Sequence, residues 1–395
     1  MALFGPPNID KLKTRGDVEG LIKALDYKKE SRADSKVRAS AARALGELKA
    51  EQAVEHLIKA LDEYWLKDSV QEALANIGTP AVGQLNALLK HKDFTRKKIA
   101  ATVLCDLQDK RSYPHFLALL DDYSWELKEI AIQALGKYGD PAAIDPILTV
   151  VADPEIKLGS RNRIEDAAEF ALSKLGAADF DKLAAAMNHS NYLVRPVVIR
   201  AMHKLCKTEE LRARAIPLLV TVLNEDSHSM FAAAGALGGL KAVEAVESLI
   251  SQLQDTRRYL DITVLAAALG KIGDPRATAP LVKSAAGMYS PGHTPNNAQK
   301  SAREAVKQIG APAVPALLEL LDDPELAVRQ VAAECLVEMN IEKILGPEEI
   351  RAILKKKKQI KSLEFGTKHR DTTDNCDNHT DTSEKIQLFR SDFLL

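Results

Sequence analysis

Aromatic side chains are scarce in this chain of 395 residues: they make up 5%, and Trp65 and Trp125 are the only tryptophans. Alanine and leucine must therefore carry the apolar surface, which favours slim helices packed closely over a large mixed core. Cysteines are few as well, and none of the four forms a C-x-x-C pair. Cys105, Cys206, Cys335 and Cys376 are scattered through the chain. That scatter excludes a disulfide framework and predicts reduced thiols, which places the chain in the cytoplasm. Charge of one sign is missing too. Lys+Arg 54 against Asp+Glu 55 leave a formal net charge of -1, so no global attraction to nucleic acid or anionic membrane exists. No run of eighteen apolar residues could span a membrane, and residues 1–13 lack the pattern of a signal peptide.

What the chain has in abundance is itself. ALGKYGDPAAIDPIL begins at Ala134, and ALGKIGDPRATAPLV begins at Ala268. Weaker copies begin at Ala44, Ala73, Val103, Ala171, Ala201, Ala236, Ala305 and Cys335, giving ten copies at spacings between 29 and 37 residues. A drifting period near thirty is the signature of a stacked array and overrides a reading as separate globular domains. Each unit reads as two helices. The first ends in an A-L pair and runs into glycine or a polar turn, as in Gly139-Asp140-Pro141. Glycine ends a helix at its carboxyl side, and proline suits the first turn of the next. The second helix carries an apolar stripe such as Val54, Leu57, Ile58 and Leu61. Acidic pairs such as Asp121-Asp122 and Asp322-Asp323 close it, and are expected to cap the helix that follows. No segment alternates apolar and polar residues convincingly, so no strands are predicted.

The A-L-G-x-I/L-G-D-P pattern, often preceded by an aliphatic-basic pair, resembles the HEAT repeat of the phycobilisome-lyase-like (PBS lyase) subgroup. That pair is Val37-Arg38, Leu66-Lys67, Leu127-Lys128, Val194-Arg195 and Val328-Arg329 here. The resemblance covers roughly residues 17–354 and implies an all-α, right-handed α-solenoid, a HEAT/armadillo-type superhelix of about ten helix pairs. Units lacking the pair, at Ser229-Met230 and Ala298-Gln299, are expected to stack less regularly. Residues 1–354 form the expected solenoid, with 1–36 as an amino-terminal cap built around DVEGLIKAL. Residues 355–395 open with Lys355 to Lys358, continue through a polar segment, and are expected to be disordered.

Catalytic chemistry finds little support. The resemblance brings to mind the HEAT-repeat deoxyhypusine hydroxylases, which use His-Glu dipeptides to hold two irons. None of the nine histidines here is followed by Glu. His369, Cys376 and His379 form a loose cluster in the polar tail, without the fixed geometry a metal requires. No cofactor and no metal are expected. Gly235, Gly238 and Gly239 follow no strand and precede no Lys-Ser/Thr, so close helix packing explains them better than a phosphate cradle.

Two surfaces are candidates for a protein partner, a helix or an extended segment of another chain. In this fold second helices line the concave face. The residue two beyond each apolar pair there is Lys59, Ala87, Ala118, Thr149, Ala184, Thr221, Ser251, Lys283 or Glu319. From Ala87 to Ser251 these are small and uncharged, which suits a smooth trough and equally suits helices packed 8–10 Å apart. The second surface is a rim. The two spacings of 37 fall at residues 152–163 and 286–297, read as stretched connections on one edge. They offer Lys157, Arg161 and Arg163, and Met288, Tyr289 and His293. The expected function is a non-enzymatic protein–protein interaction scaffold or adaptor. The alternative is a phycobilin lyase, or a subunit of one, acting on a phycobiliprotein.

Overall fold

A glycine with positive φ, followed by one 3-10 turn, joins the two helices of many repeats. The computed structural model describes residues 6–27, 32–225, 229–256, 259–288 and 296–339. The expected tail, the carboxyl-terminal helix of the tenth repeat, Tyr289 and His293 lie outside the described residues. Within them the chain forms twenty-one α-helices and eight 3-10 turns, with no strand, and the fold is an α-solenoid. No described helix is long and apolar enough to cross a membrane.

Two units divide the chain, at residues 1–205 and 206–395. The first holds α1 (Ile9–Thr14), α2 (Val18–Leu25), α3 (Arg32–Glu47), α4 (Val54–Ala60), α5 (Lys67–Ile77), α6 (Val82–Leu88) and α7 (Phe94–Leu107). It continues with α8 (Tyr113–Leu119), α9 (Trp125–Tyr138), α10 (Ile144–Ala152), α11 (Leu158–Ala178), α12 (Phe180–Ala186) and α13 (Val194–Leu205). The second holds α14 (Glu209–Glu225), α15 (Met230–Gly239), α16 (Val246–Asp255), α17 (Tyr259–Ile272), α18 (Thr278–Ala286), α19 (Asn297–Ile309), α20 (Val314–Leu320) and α21 (Leu326–Glu338). The cap is a helix pair rather than one helix: α1 precedes the expected DVEGLIKAL helix α2, whose amino end is capped by the Asp17 carboxylate.

The turn between paired helices rests on a positive φ, with ψ near 15° at Gly139 and 33° at Gln108 but -135° at Gly78 and -143° at Gly310. Gly78, Gly139, Gly273 and Gly310 have φ between 73 and 81°, a region glycine enters without steric cost. Lys49, Gln108 and Lys241 occupy the same place in their repeats and take φ of 49–52°. The turn therefore imposes its conformation on side chains that disfavour it. In the G-D-P repeats Asp140 and Asp274 accept the amide N–H two residues on, from Ala142 and Arg276, at 2.9 Å. The 3-10 turn then ends on a small residue with no exposure: Ala53, Ala81, Ser112, Ala143, Ala245, Ala277 or Ala313.

The A-L-G glycine serves a different purpose. A Cβ added to Gly46 would lie 2.6 Å from the Ala73 Cα, and one on Gly136 would lie 2.6 Å from the Ala171 Cα. Gly238 and Gly270 meet Ala268 and Ala305 in the same way, at 2.8 and 2.7 Å. Each of these glycines thus touches the alanine that opens the next repeat's A-L pair (Ala305-Val306 in the last case), so at these four seams the first helices meet backbone to backbone. The four glycine-bearing pairs are closely packed, as is α11 with α13, which carries Ser173 there, whereas α5 with α7 and α19 with α21, carrying Ala75 and Lys307, are sparser. Leucines beside this seam, such as Leu45, Leu135, Leu237 and Leu269, have no exposure. Each stabilises by about 1.5–3 kcal/mol relative to an exposed position.

Where the basic residue of the aliphatic-basic pair is arginine, it donates to a carbonyl at or just after the end of the preceding helix, whereas Lys128 pairs with Asp153 and Lys67 lies over the Tyr64 ring. Arg38 Nε donates to the Leu25 carbonyl at 2.5 Å, Arg195 Nε to Met187 at 2.8 Å, and Arg329 Nη1 to Asp323 at 2.9 Å. The Leu25 and Met187 carbonyls lie at helix ends, where intrahelical N–H groups run out, and that of Asp323 lies in the connection after α20. Gln299, in a repeat lacking the pair, does the same for the Ala285 carbonyl at 3.3 Å. That repeat is capped after all, because an amide can donate as a guanidinium does. The acidic pairs act one step earlier than expected. Asp122 and Asp323 accept from the N–H groups of Ser124 and Glu325, two residues on, and so shape the turn before the helix rather than capping it.

Two substitutions three residues apart in α15 separate these roles. Gly235 has open space where a Cβ would go, so Gly235→Ala gains helix propensity and stabilises by up to about 1 kcal/mol. Gly238→Ala drives a methyl into the Ala268 backbone and costs about 1–3 kcal/mol. Chemical denaturation midpoints moving in opposite directions would establish the difference.

Candidate protein-binding surfaces

Second helices in the first unit are short, and α4, α6, α8 and α12 have seven residues each. Two helical turns bury one stripe, Leu57, Leu85, Phe116, Ile147 and Leu183 in successive repeats, all without exposure. The position two beyond that stripe faces solvent, which fixes the inner surface. Lys59, Ala87, Ala118 and Thr149 are exposed there, as are Thr221, Ser251, Lys283 and Glu319 in the second unit. Ala184 is a correction. In α12 the residue aligned with Lys59 is Ala185, which is exposed, while Ala184 sits one place earlier and is half-buried. An apolar triplet, Ala184 to Ala186, hides the register in the sequence. Thr149 and Thr221 donate their hydroxyls to the Asp145 and Pro217 carbonyls of their own helices at 3.0 Å. Those protons are already bonded, so the threonines add little polarity to the face. Gly83 and Pro114, also exposed, extend the uncharged surface around Ala87 and Ala118.

The rim expected at residues 152–163 is mostly helix. α11 begins at Leu158 and runs for 21 residues, so the extra length of this repeat lengthens its first helix instead of opening a loop. Lys157, the residue before it, is exposed. Arg161 is turned inward: its guanidinium donates to the carbonyls of Asp153 at 2.8 Å and Ile156 at 3.0 Å. It performs the capping task that Arg195 performs elsewhere, and its donors are occupied by its own chain. Arg163 pairs with Glu129 at 3.1 Å and lies 5.2 Å from the Trp125 ring centroid. It borders a cavity of about 350 Å³ between α9 and α11, with Gln133, Asp166 and Phe170. That cavity is on the first-helix side, so Arg163 does not join the inner face. Of the second rim group, Met288 is half-buried just after α18.

The strongest charge cluster is also on first helices. Glu169, buried in α11, accepts from Arg200 Nε at 2.9 Å and pairs with Lys204 at 2.8 Å. Arg200 reaches Glu165 as well, at 3.0 Å. Burial by itself would raise the Glu169 carboxyl, but Lys204 and Arg200 together outweigh it and hold it below the usual carboxylate range. The buried thiols are pushed the other way by desolvation, Cys206 to about 11 and Cys335 to about 12, which keeps them protonated and unreactive. Among the described residues no group of three or more His, Cys, Asp or Glu side chains could hold a metal ion.

One surface went unread in the sequence. Both tryptophans, and Tyr64, Tyr123 and Tyr192, lie in or just beside the connections between repeats of the first unit. Tyr64 is 71% exposed, Trp65 58% and Tyr123 84%. The signal was present in the scarcity of aromatics, since both tryptophans and three tyrosines fall at these connections, while Phe116 and Phe180 are buried on second helices.

Comparison with known proteins fits this geometry. HEAT repeats match residues 83–161, the PBS lyase HEAT-like repeat matches 37–63 and 264–286, and a further HEAT repeat matches 313–340. No curated protein matches the chain. Among solved structures, a mutant of Kap121p is 13% identical, with a TM-score of 0.56 over 91% of this chain and 45% of that one. Kap121p bound to Pho4p is 14% identical over 84% of this chain and 42% of that one, with a TM-score of 0.51. Kap95p, whose binding induces the switch loops of RanGDP to adopt the GTP-bound conformation, is 10% identical over 87% of this chain and 55% of that one, with a TM-score of 0.51. The chain thus spans about half the length of these structures, and at such identities the likeness is one of fold.

The Glu169 cluster makes a pH prediction. A carboxyl whose folded value is depressed contributes stability above its unfolded value and loses it as pH falls through the folded one. Glu169→Gln should therefore flatten the acid side of the profile. Melting temperatures between about pH 7 and about pH 3 should fall less steeply in the variant than in the unaltered chain, from a lower neutral starting point.

Proposed function

We propose that this chain, built of HEAT repeats that include PBS lyase HEAT-like units, is a non-enzymatic adaptor that holds another protein against its second-helix face. The observation that carries the reading is the row of exposed small residues on successive second helices, Ala87, Ala118 and Thr149, flanked by Gly83 and Pro114. Side chains of this size let a partner helix or extended segment approach the backbone closely, and the repeat places one such step in each of these three successive layers. The Kap proteins offer an analogy for a solenoid of this type engaging proteins, as Kap121p does with Pho4p. The expected compartment is the cytoplasm, in keeping with three buried cysteines that form no disulfide. On the rim, Lys157 and Met288 are left as auxiliary positions, because the donors of Arg161 are already occupied.

A phycobilin lyase is the second reading, and it rests on the description of the repeats at 37–63 and 264–286. Mixing the chain with phycocyanobilin distinguishes the two. An adaptor leaves the absorbance of the tetrapyrrole unchanged, whereas a spectral shift would favour the lyase.

The adaptor reading is tested by charge placed on the face. Ala87→Glu combined with Ala118→Glu alters exposed positions only, so the melting temperature should stay within a degree or two. Proteins recovered with the unaltered chain by affinity capture and mass spectrometry should be lost with the variant. If every captured protein is retained equally, the second-helix face is not the binding surface.

A further inference from the structure

Three successive connections of the first unit form a charge pattern that the adaptor reading leaves unused. The connection between α4 and α5 exposes Tyr64 and Trp65, which meet edge to face with centroids 5.2 Å apart. The next, between α6 and α7, exposes Lys90, His91 and Lys92. The third, between α8 and α9, exposes Tyr123. A basic tip thus sits one layer from an aromatic group on either side.

The neighbouring cations of α7 are already engaged. Arg96 pairs with Asp62 in the layer before, and Lys97 and Lys98 pair with Asp122 at 2.5 Å and Glu126 at 3.5 Å in the layer after. These pairs tie the three connections side by side, at about 10 Å per layer. Lys90 and Lys92 form no ion pair among the described residues; the one carboxylate at this tip, Asp93, caps the amino end of α7 by accepting the Arg96 N–H, so the tip keeps an excess of positive charge.

We propose that this edge is a docking site for an extended segment of another protein, with a short acidic centre over Lys90 and Lys92 and an apolar residue on each side for Trp65 and Tyr123. The acidic centre follows from the unpaired lysines. Its shortness follows from the flanking layers, which expose Asp68 on one side and Asp121 on the other, while Asp62, Glu63, Asp122 and Glu126 are already paired with Arg96, Arg38, Lys97 and Lys98. A continuous polyanion such as single-stranded nucleic acid would place phosphates against those carboxylates, so its charge would be opposed in two layers of three. An extended peptide rises about 3.3 Å per residue, so about three acidic residues span one layer and the apolar anchors stand about six residues apart. The exposed rings supply the area that makes such anchors effective. The site is independent of the second-helix face, since none of these residues lies on a second helix.

The test is an array of nine-residue peptides probed with the labelled full-length chain. The centre is Glu-Asp-Glu, Gln-Asn-Gln or Lys-Arg-Lys, and the flanking positions are leucine or serine. The acidic, leucine-flanked peptide should be retained best. Lys90→Glu combined with Lys92→Glu should weaken it by about tenfold or more and move the preference to Lys-Arg-Lys. Trp65→Ala combined with Tyr123→Ala should weaken it by a similar factor and erase the preference for leucine, while leaving the preference for an acidic centre. Unchanged melting temperatures would show that both variants fold. Failure of the unaltered chain to prefer the acidic, leucine-flanked peptide would overturn the proposal. So would equal binding by the lysine variant, or displacement of the peptide by a nine-nucleotide oligothymidylate at equal concentration.

Discussion

The approach of the A-L-G glycine to the next repeat's alanine is the constraint on which this structure depends. Where a hydrogen replaces a methyl, two helices meet at backbone distance, and that separation is set by covalent geometry rather than by side chains that could repack. Gly46, Gly136 and Gly238 make this approach to the first residue of an A-L pair, and Gly270 to Ala305 of the equivalent Ala305-Val306 pair. The rest of the composition follows. A seam that tight is filled by alanine and leucine, and the buried aromatics Phe116 and Phe180 sit on second helices instead. A spacing fixed in one repeat and reproduced in the next also aligns equivalent residues, which is how a row of exposed positions on second helices becomes a surface.

The repeat itself was legible because its grammar is local. Gly139-Asp140-Pro141 specifies a positive φ, an acceptor for the next free amide and a rigid start to the following turn, all within three residues. The same turn at Lys49, Gln108 and Lys241 carries no such signature, and only its place in the period identifies it. The stretch at 152–163 misled for a related reason. Its proline, glycine and charges resemble a loop, yet the residues from Leu158 onward continue into α11, and no local signal separates a longer helix from a longer connection. The capping role of Gln299 was hidden because its residue type differs from the arginines that share its task.

The candidate inner face was legible to the extent that helical period determines exposure. A buried Leu57 or Leu85 dictates that the residue two beyond it faces out, and the structure places Ala87, Ala118 and Thr149 accordingly. Where the pattern degenerates into Ala184-Ala185-Ala186, the register slips by one because three identical side chains contain no information about direction. The rim was less legible, since the destination of a long side chain depends on groups distant from it in the chain. Arg161 ends on its own backbone carbonyls and Arg163 beside Glu129 and Trp125. The aromatic edge was missed because scarcity was read as a property of the core. Asking where the few aromatics fall would have found it.

A stack held by near-neighbour seams behaves as a one-dimensional chain, in which a defect is felt by adjacent repeats and fades beyond them. Hydrogen–deuterium exchange on Gly136→Ala tests this most directly, because the added methyl meets the Ala171 backbone at one seam and touches no surface proposed for binding. The account predicts faster amide exchange in α9 and α11, with protection in α3 and α5 of the same unit retained. Equal loss of protection in all four helices, or no loss in any of them, would contradict it.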